Sequence, residues 1–330
     1  MKIALITGVN GQDGSYLSEY LLSLGYEVHG LVRRHSVAED QDSRINKEDI
    51  KTYYSDMTDE TSLANLINKI QPDEIYNLAA MSHVRISFEI PSFTIKTNAL
   101  GVLNILETAR TNCPNAKIYQ ASSSEMFGNS VDSDGYQRLT TPMMPVSPYG
   151  CSKLLAYHLV KHYRTAYKKF YCNGILFNHE SPRRGSNFVT NKIVKTAVEI
   201  KLGIKKKLEL GNLNSSRDWG HSKDYVKAMH LIMQHKEARD WTVATGETRS
   251  VRQLCELTFK MLGLNYEDFV VQNNIYLRPD ELKYLKGDST EVREILRWKP
   301  EYTFETLINE MVEFWPVSYT HLTLPTKRIV

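Results

Sequence analysis

The sequence predicts an α/β protein: a doubly wound, mainly parallel sheet covered by helices on both faces, followed by a smaller, mixed α/β lobe. Three observations carry this expectation. Short apolar runs alternate with helical periodicity through the first half, a glycine-rich turn separates the first strand from the first helix, and the alternation fades past Asn178. KIALIT is the first strand, after which Tyr16, Leu17, Tyr20, Leu21 and Leu24 recur at helical spacing. YEVHGLV and KTYYSD follow, then a helix around Leu63 to Ile70 and the strand DEIYNLAA. A long helix is expected from about Ser92 to Ala109, then the strand KIYQASS, a helix from Pro148 to about Lys168 and the strand NGILFN. Each strand–helix–strand unit needs a crossover, which makes the joined strands parallel.

Beyond Asn178, helices at Val189 to Lys201, Lys223 to His235 and Val251 to Leu262 mix with short strands such as LELG and WTVAT, all assigned to the smaller lobe. The expected division is residues 1–177 for the sheet domain, with room for a later segment to rejoin it, and 178–315 for the lobe. Pro316 and Pro325 are expected to stop an amphipathic helix near Trp315, leaving 316–330 as a tail of non-native character.

At 330 residues, with 42% hydrophobic and 24% charged positions, the chain can bury a large core and is not of disordered composition. Forty-one basic against 38 acidic residues leave a net charge of +3, too weak a field to make nucleic acid or an anionic membrane the partner. No apolar run approaches the roughly 20 residues of a membrane helix, and MKIALITG lacks the pattern of a signal peptide, so a cytoplasmic protein is expected. Cys113, Cys151, Cys172 and Cys255 form no CxxC pair, and His158 and His162 lack the glutamate and third ligand of a zinc helix, so no metal is expected. The basic run Lys205 to Lys207 has no aromatic platform beside it and reads as a solvated face.

Chemistry concentrates in three places. Gly8, Gly11 and Gly14 lie in the turn after the first strand, where small residues let the backbone approach a pyrophosphate and the helix N-terminus holds its charge. Roughly 20 residues further on, where a site for NAD places an acidic group against the ribose 2′-hydroxyl, this chain has Arg33 and Arg34. Two guanidinium groups suit a 2′-phosphate, so NADP is the expected cofactor of this Rossmann-type domain. Finally, Ser122, Ser123, Ser124 and Glu125 follow the strand KIYQAS, and Tyr149 and Lys153 form a Y-x-x-x-K pair on one helical face. A phenol titrating near pH 10 is a poor base, but an adjacent ammonium and a cationic nicotinamide ring both favour its phenolate. Glu125, at the carboxyl end of a central strand, stands where open α/β sheets place functional groups.

Taken together, the segments TGVNGQDGSYL, LVRR, YSDMTD, YNLAAMSHV, ASSSEMFG, SPYGCSK, NGILFNHESPRRG, RDWGHSKDYV and LRPDE resemble the extended short-chain dehydrogenase/reductase superfamily and, within it, the GDP-mannose 4,6-dehydratase family. The resemblance extends to about Trp315. It implies that Gly8, Gly11, Gln12, Asp13 and Gly14 cradle the NADP pyrophosphate, with Arg33 and Arg34 at the 2′-phosphate. It places Asp56 and Met57 along the adenine, and Leu78, Ala79 and Ser82 along the cofactor. Lys153 is implied at the nicotinamide ribose, with His179 and Arg184 lining the same site. Asn178, Arg217, Arg278 and Glu281 match positions that hold GDP-mannose, and Ser123, Glu125 and Tyr149, with Lys153, match the catalytic set. Ser123 departs from the threonine common in the family, which keeps the hydroxyl but loosens χ1. The loop from Asn129 to Met144 is slightly longer than usual, and the tail after Trp315 does not resemble the family's terminal helix.

The activity implied is dehydration of GDP-mannose by internal hydride transfer, in which Tyr149 takes the C4 hydroxyl proton and Glu125 the C5 proton. The glycine loop and the Tyr149/Lys153 pair would equally serve a sugar-nucleotide epimerase or a GDP-sugar 4-keto reductase; a redox sensor is the non-enzymatic alternative. The resemblance also implies a homodimer through a four-helix bundle, here about 92–110 and 148–168, and leaves open its doubling to a homotetramer near the Arg33 to Ser36 loop.

Overall fold

The alternation of sequence becomes a seven-stranded sheet in the computed structural model, which describes residues 1–33, 44–45 and 48–323, with side chains to 316. Arg34 lies outside the described residues. The sheet strands are β1 (Ile3–Thr7), β2 (Glu27–Val32), β3 (Lys51–Tyr54), β4 (Glu74–Asn77), β5 (Lys117–Ser123), β6 (Tyr171–Leu176) and a late strand, Trp241–Val243. Every pairing within it is parallel. Spatial order is β3-β2-β1-β4-β5-β6 and then Trp241–Val243, so the direction of winding reverses at β1/β4. Crevices at such a reversal, beyond the carboxyl ends of the strands, are where open α/β sheets bind ligands.

Helices α1 (Gln12–Ser23), α2 (Glu60–Ile70), α3 (Val84–Glu89), α4 (Pro91–Ile95), α5 (Gly101–Asn112) and α6 (Pro148–Tyr167) belong to the first half. Alternate strand residues point to opposite faces. Leu5, Leu31, Ile75 and Ile118 pack against Leu63, Ile67, Val102, Ile105 and Val160 of α2, α5 and α6. Ala4, Ile6, Val28, Tyr76 and Tyr119 pack on the other side with Leu17 and Leu21 of α1. The long helix expected from Ser92 is present, but a π-helical turn over Lys96–Leu100 joins α4 to α5. Ser147 caps α6 by accepting from the Gly150 amide at 3.0 Å, with Pro148 at its first position, and Lys168 ends it in the left-handed region.

The second half contains β7 (Asn178–Glu180), β8 (Leu208–Leu210), β9 (Ser216–Arg217), β10 (Trp219–His221), β11 (Trp241–Val243), β12 (Arg249–Ser250) and β13 (Val270–Gln272). Its helices are α7 (Val189–Lys201), α8 (Ser222–Gln234), α9 (Val251–Met261), α10 (Thr290–Leu296) and α11 (Phe304–Thr323). Three two-stranded sheets pair β10 with β7, β12 with β9 and β13 with β8. Ile193 and Val194 of α7, Leu254 and Phe259 of α9, and Ile308 and Met311 of α11 form a separate apolar core.

Two expectations are corrected here. WTVAT does not belong to the lobe: β11 pairs with β6, Trp241 opposite Gly174, and α8 lays Met229 and Ile232 in the core beside α1. The chain thus rejoins the large sheet after residue 178. Nor does helix stop near Trp315, because α11 continues through Pro316 to Thr323. A proline removes one amide donor from the ladder, and here the backbone continues helical regardless. Among the described residues no helix is long and apolar enough to cross a membrane.

Candidate active site

The turn after β1 is shaped by what its glycines lack. Gly8 has φ +69°, and a Cβ there would lie 3.1 Å from the Ala79 backbone. A Cβ on Gly14 would lie 2.3 Å from the Gly8 carbonyl oxygen and 2.6 Å from Val9 Cα, while one on Gly11 would meet Gly8 O at 3.1 Å. The three glycines therefore let the loop fold tightly onto its own backbone and lead straight into α1, the packing that a pyrophosphate-binding turn requires. Thr7, at the end of β1, accepts from the amides of Leu78 and Ala79, both at 3.0 Å, and donates to Asn77 Oδ1 at 2.6 Å, fixing the segment beside the loop.

Gln12 and Asp13 fasten the loop to β7. Gln12 Nε2 donates to His179 O at 3.1 Å, Ser181 Oγ donates to Gln12 Oε1 at 2.8 Å, and Asp13 Oδ2 lies 2.7 Å from His179 Nε2. Burial opposes charge on both members of that pair, but their mutual attraction outweighs it, holding the Asp13 carboxyl below its usual range and raising the His179 ring.

At the carboxyl end of β5 the chain enters a 3₁₀ turn, Ser124–Phe127, and Ser123 Oγ accepts from the Glu125 amide at 3.2 Å. The turn buries Glu125: its Oε1 lies 3.4 Å from Arg278 Nη1, and its Oε2 has no hydrogen-bond partner. Helix α6 comes close because Gly150 has no side chain; a Cβ there would lie 2.8 Å from Glu125 O. Tyr149 is thereby brought beside the turn. Burial, partly offset by a hydrogen bond with Ser123, pushes its phenol up to about 12. One helical turn on, Lys153 Nζ donates to Ala121 O at 2.8 Å and sits 5.8 Å from the Tyr149 ring centroid. Burial pushes its ammonium down to about 8, against the pull of Asp13.

These groups open into one cavity of about 720 Å³. From the first half it is lined by Asp13, Leu78, Ser82, Ser123, Glu125, Tyr149 and Lys153; from the second by Asn178, His179, Arg184, Arg217, Arg278 and Glu281. Arg217 is buried, donating to Ser216 O and Leu282 O at 2.9 Å each, and burial pushes its guanidinium down to about 10. Arg184 lies 3.0 Å from Glu180 and 3.7 Å above the Phe188 ring. Glu281 Oε1 accepts from the Arg278 amide at 2.9 Å.

The remaining candidates lie outside this lining. Gly8, Gly11, Gln12 and Gly14 belong to the adjoining loop and the start of α1 and Ala79 to the segment after β4, whereas Arg33, Asp56 and Met57 stand past the carboxyl ends of β2 and β3. Arg33 Cζ is 5.9 Å from the Phe93 ring centroid; Asp56 Oδ1 accepts from Thr58 N and Oγ1 at 2.9 and 2.7 Å; Met57 is buried, and its carbonyl accepts from Asn104 Nδ2. Sequence reasoning missed His83, Phe188, Lys192 and Tyr276, which also line the cavity. His83 Nδ1 accepts from the Ile86 amide at 3.2 Å, and Lys192 Nζ sits 3.5 Å over the Tyr276 ring. His83 was within reach, since it directly follows Ser82 in YNLAAMSHV; Lys192 and Tyr276 carry no local signal.

A parallel sheet with a glycine loop after β1, and a serine, a tyrosine and a lysine meeting at the carboxyl ends of its strands, defines a Rossmann-type short-chain dehydrogenase/reductase fold and site. A sequence model described as GDP-mannose 4,6 dehydratase matches residues 5–311. The chain belongs to the GDP-mannose 4,6-dehydratase family. It is 49% identical over 324 residues to GDP-mannose 4,6 dehydratase 2 of Arabidopsis thaliana, covering 94% of this chain and 86% of that protein. It is 41% identical over 347 residues to GDP-mannose 4,6-dehydratase of Vibrio cholerae, covering 94% and 92% respectively. Among solved structures, dTDP-glucose 4,6-dehydratase from Bacillus anthracis in complex with NAD superposes with a TM-score of 0.84 at 22% identity, over 97% of this chain and 98% of that one. RMD from Pseudomonas aeruginosa complexed with NADPH gives 0.79 at 22% identity, over 96% and 100%. Likeness at that identity speaks for the fold alone.

Proposed function

We propose that the protein converts GDP-mannose to GDP-4-keto-6-deoxy-mannose, using a nicotinamide dinucleotide that it recycles. The observation that carries this reading is Glu125, a buried carboxylate with one unpartnered oxygen, in the same cavity as Tyr149 and Lys153. Hydride chemistry at C4 needs the tyrosine and lysine alone, whereas elimination of water across C5 and C6 needs a further proton acceptor.

The glycine loop fits the cofactor: only a residue without a Cβ at position 14 lets the start of α1 close onto the Gly8–Val9 backbone, the packing that sets a helix N-terminus at a dinucleotide's pyrophosphate. Gly8, Gly11, Gln12, Asp13 and Gly14 would hold its pyrophosphate, Arg33 and Arg34 a 2′-phosphate, which favours NADP, and Lys153 the nicotinamide ribose. When bound, it supplies the acceptor for a hydride from the sugar C4 and its return to C6. Tyr149 Oη accepts the C4 hydroxyl proton with Ser123 Oγ as hydrogen-bond partner, and the Lys153 ammonium favours the phenolate that this requires. The C4 ketone acidifies the C5 proton. Glu125 takes that proton and gives it to the departing C6 hydroxyl, which leaves as water and creates a C5–C6 double bond. With the hydride returned, Glu125 can pass a solvent proton to C5 while Tyr149 releases to solvent the proton it took, so the product forms with no net redox change.

Asn178, Arg217, Arg278 and Glu281 are read as the GDP-sugar contacts, the two arginines meeting the diphosphate. Exposure of Phe93, Leu100, Leu155 and Tyr167 on α4 to α6 supports pairing of two copies through these helices. Incubation with GDP-mannose, followed by mass spectrometry and NMR, tests the proposal: loss of one water without consumption of added NADPH is expected. Unchanged mass with an inverted carbinol centre would instead mean epimerisation.

A further inference from the structure

The acid–base carboxylate and a cation assigned to the diphosphate are in contact with each other. Arg278 reaches across 153 residues of sequence from a surface segment to place Nη1 3.4 Å from Glu125 Oε1. That is the one side-chain hydrogen bond given to Arg278 among the described residues. Arg217, the other arginine of the pair, is instead fixed by two carbonyls and buried. One arginine is thus an immobile anchor and the other a loosely held one.

We propose that Arg278 makes the substrate's diphosphate a trigger for proton chemistry: without it the guanidinium engages Glu125, and an arriving diphosphate draws it away and frees the carboxylate for the sugar. This rests on the sugar-nucleotide reading above and adds a specificity rule to it. A single, long contact is readily exchanged for the charge-assisted, forked hydrogen bonds that a phosphate offers a guanidinium. The backbone is suited to such a swing. Arg278 N is held by Glu281 Oε1, and the following segment by Asn129, whose Oδ1 accepts from Lys283 N at 2.8 Å and whose Nδ2 donates to Glu281 O at 3.1 Å. The side chain can therefore move while its root stays in place. Preceding residues Ile275 and Leu277 are exposed and offer no obstruction. Arg278 holds only Oε1, so the unpartnered Oε2 keeps the direction that this contact sets, and release lets the carboxyl group turn toward the sugar C–H. A sugar lacking the diphosphate would enter a site whose base is still engaged, so binding energy remote from the reacting carbons is converted into catalysis rather than affinity alone.

The test uses the whole protein and GDP. Calorimetric titration first establishes that GDP binds; absence of heat overturns the sugar-nucleotide reading and the trigger with it. A crystal structure of the GDP complex is expected to show Arg278 on the phosphates and beyond about 4 Å from Glu125, outside ion-pair range. Second, exchange of the C5 proton of free 4-keto-6-deoxymannose is followed by NMR in D2O. Addition of GDP should accelerate exchange in the wild type by at least about fivefold, the low end of site-to-site coupling. Arg278→Gln should exchange fast without GDP and no longer respond to it. GDP binding with Arg278 still on Glu125, or wild-type exchange indifferent to GDP, overturns the trigger and leaves the dehydratase reading standing. Should Arg278→Gln not fold, the wild-type measurements decide the matter, with Arg278→Lys as the second variant: its ammonium should retain part of the GDP response.

Discussion

Substituting Gly14 by alanine tests the loop proposed to bind the cofactor. The added Cβ would stand 2.3 Å from Gly8 O, 2.6 Å from Val9 Cα and 2.7 Å from Val9 O, whereas ordinary contact begins at 3.4 Å. All three obstacles are backbone, so no side chain can rotate away and the Gly8–Val9 segment must retreat by about 1 Å. Overpacking of this kind costs about 1–3 kcal/mol of stability. Displacing a preorganised binding loop by the same distance should weaken NADPH binding on the order of 100-fold, the loss that a 1 Å misplacement brings to a positioned site. Fluorescence titration with NADPH and urea unfolding read the two effects separately. Gly203→Ala is the control: φ is +74° but nothing lies within 4 Å, so backbone strain should cost stability and leave NADPH affinity alone. Wild-type NADPH affinity in Gly14→Ala would refute the reasoning, because it would mean that the loop relaxes freely or that the dinucleotide binds elsewhere.

Tyr149→Phe removes the proposed proton acceptor at C4 and should lower kcat on GDP-mannose by about 10²–10⁴-fold without raising KM comparably. Glu125→Gln should lose turnover to a similar degree and, unlike Tyr149→Phe, abolish deuterium uptake at C5 of the 4-keto product. Asp240→Ala leaves the half-buried Arg164 without the carboxylate that now meets it through two 2.8 Å bonds, so about 1.5–3 kcal/mol should be lost in urea unfolding. His221 is fully buried; burial, aided by Lys223 and opposed by Glu310, pushes its pKa from 6.5 down to about 4. The unfolded chain therefore binds the proton first, so this contribution is complete above pH 6.5 and falls by about 3 kcal/mol as pH drops toward 4. His221→Asn should flatten the acid limb of stability against pH between those values.

Strand and helix order in the first half was legible because each element announces itself locally, by period and by flanking turns. Tyr149 and Lys153 were legible for the same reason, four residues apart on one helix. WTVAT reads as a strand from its residues, yet which sheet it joins is decided by β6, some 65 residues earlier by number, and short-range pattern carries no register across that gap. The π turn over Lys96–Leu100 left no trace in a sequence whose apolar spacing still reads as helix. Arg278 could be assigned to the substrate by resemblance, but its contact with Glu125 joins a loop to a strand end and belongs to tertiary geometry alone. Lys192 and Tyr276 escaped for that reason too.

Because β11 closes the outer side of β6 and α8 shields the face beside α1, the two halves of the gene product are not interchangeable cassettes. A fragment truncated at residue 177 would leave the amides and carbonyls of Tyr171–Leu176 as an open rim, inviting edge-to-edge association. The complementary piece would carry Met229 and Ile232 with no surface to meet. Chimeras that seek a new sugar preference must therefore graft the stretches before α8 and after β11 as separate inserts, keeping the intervening helix and strand with the parent scaffold.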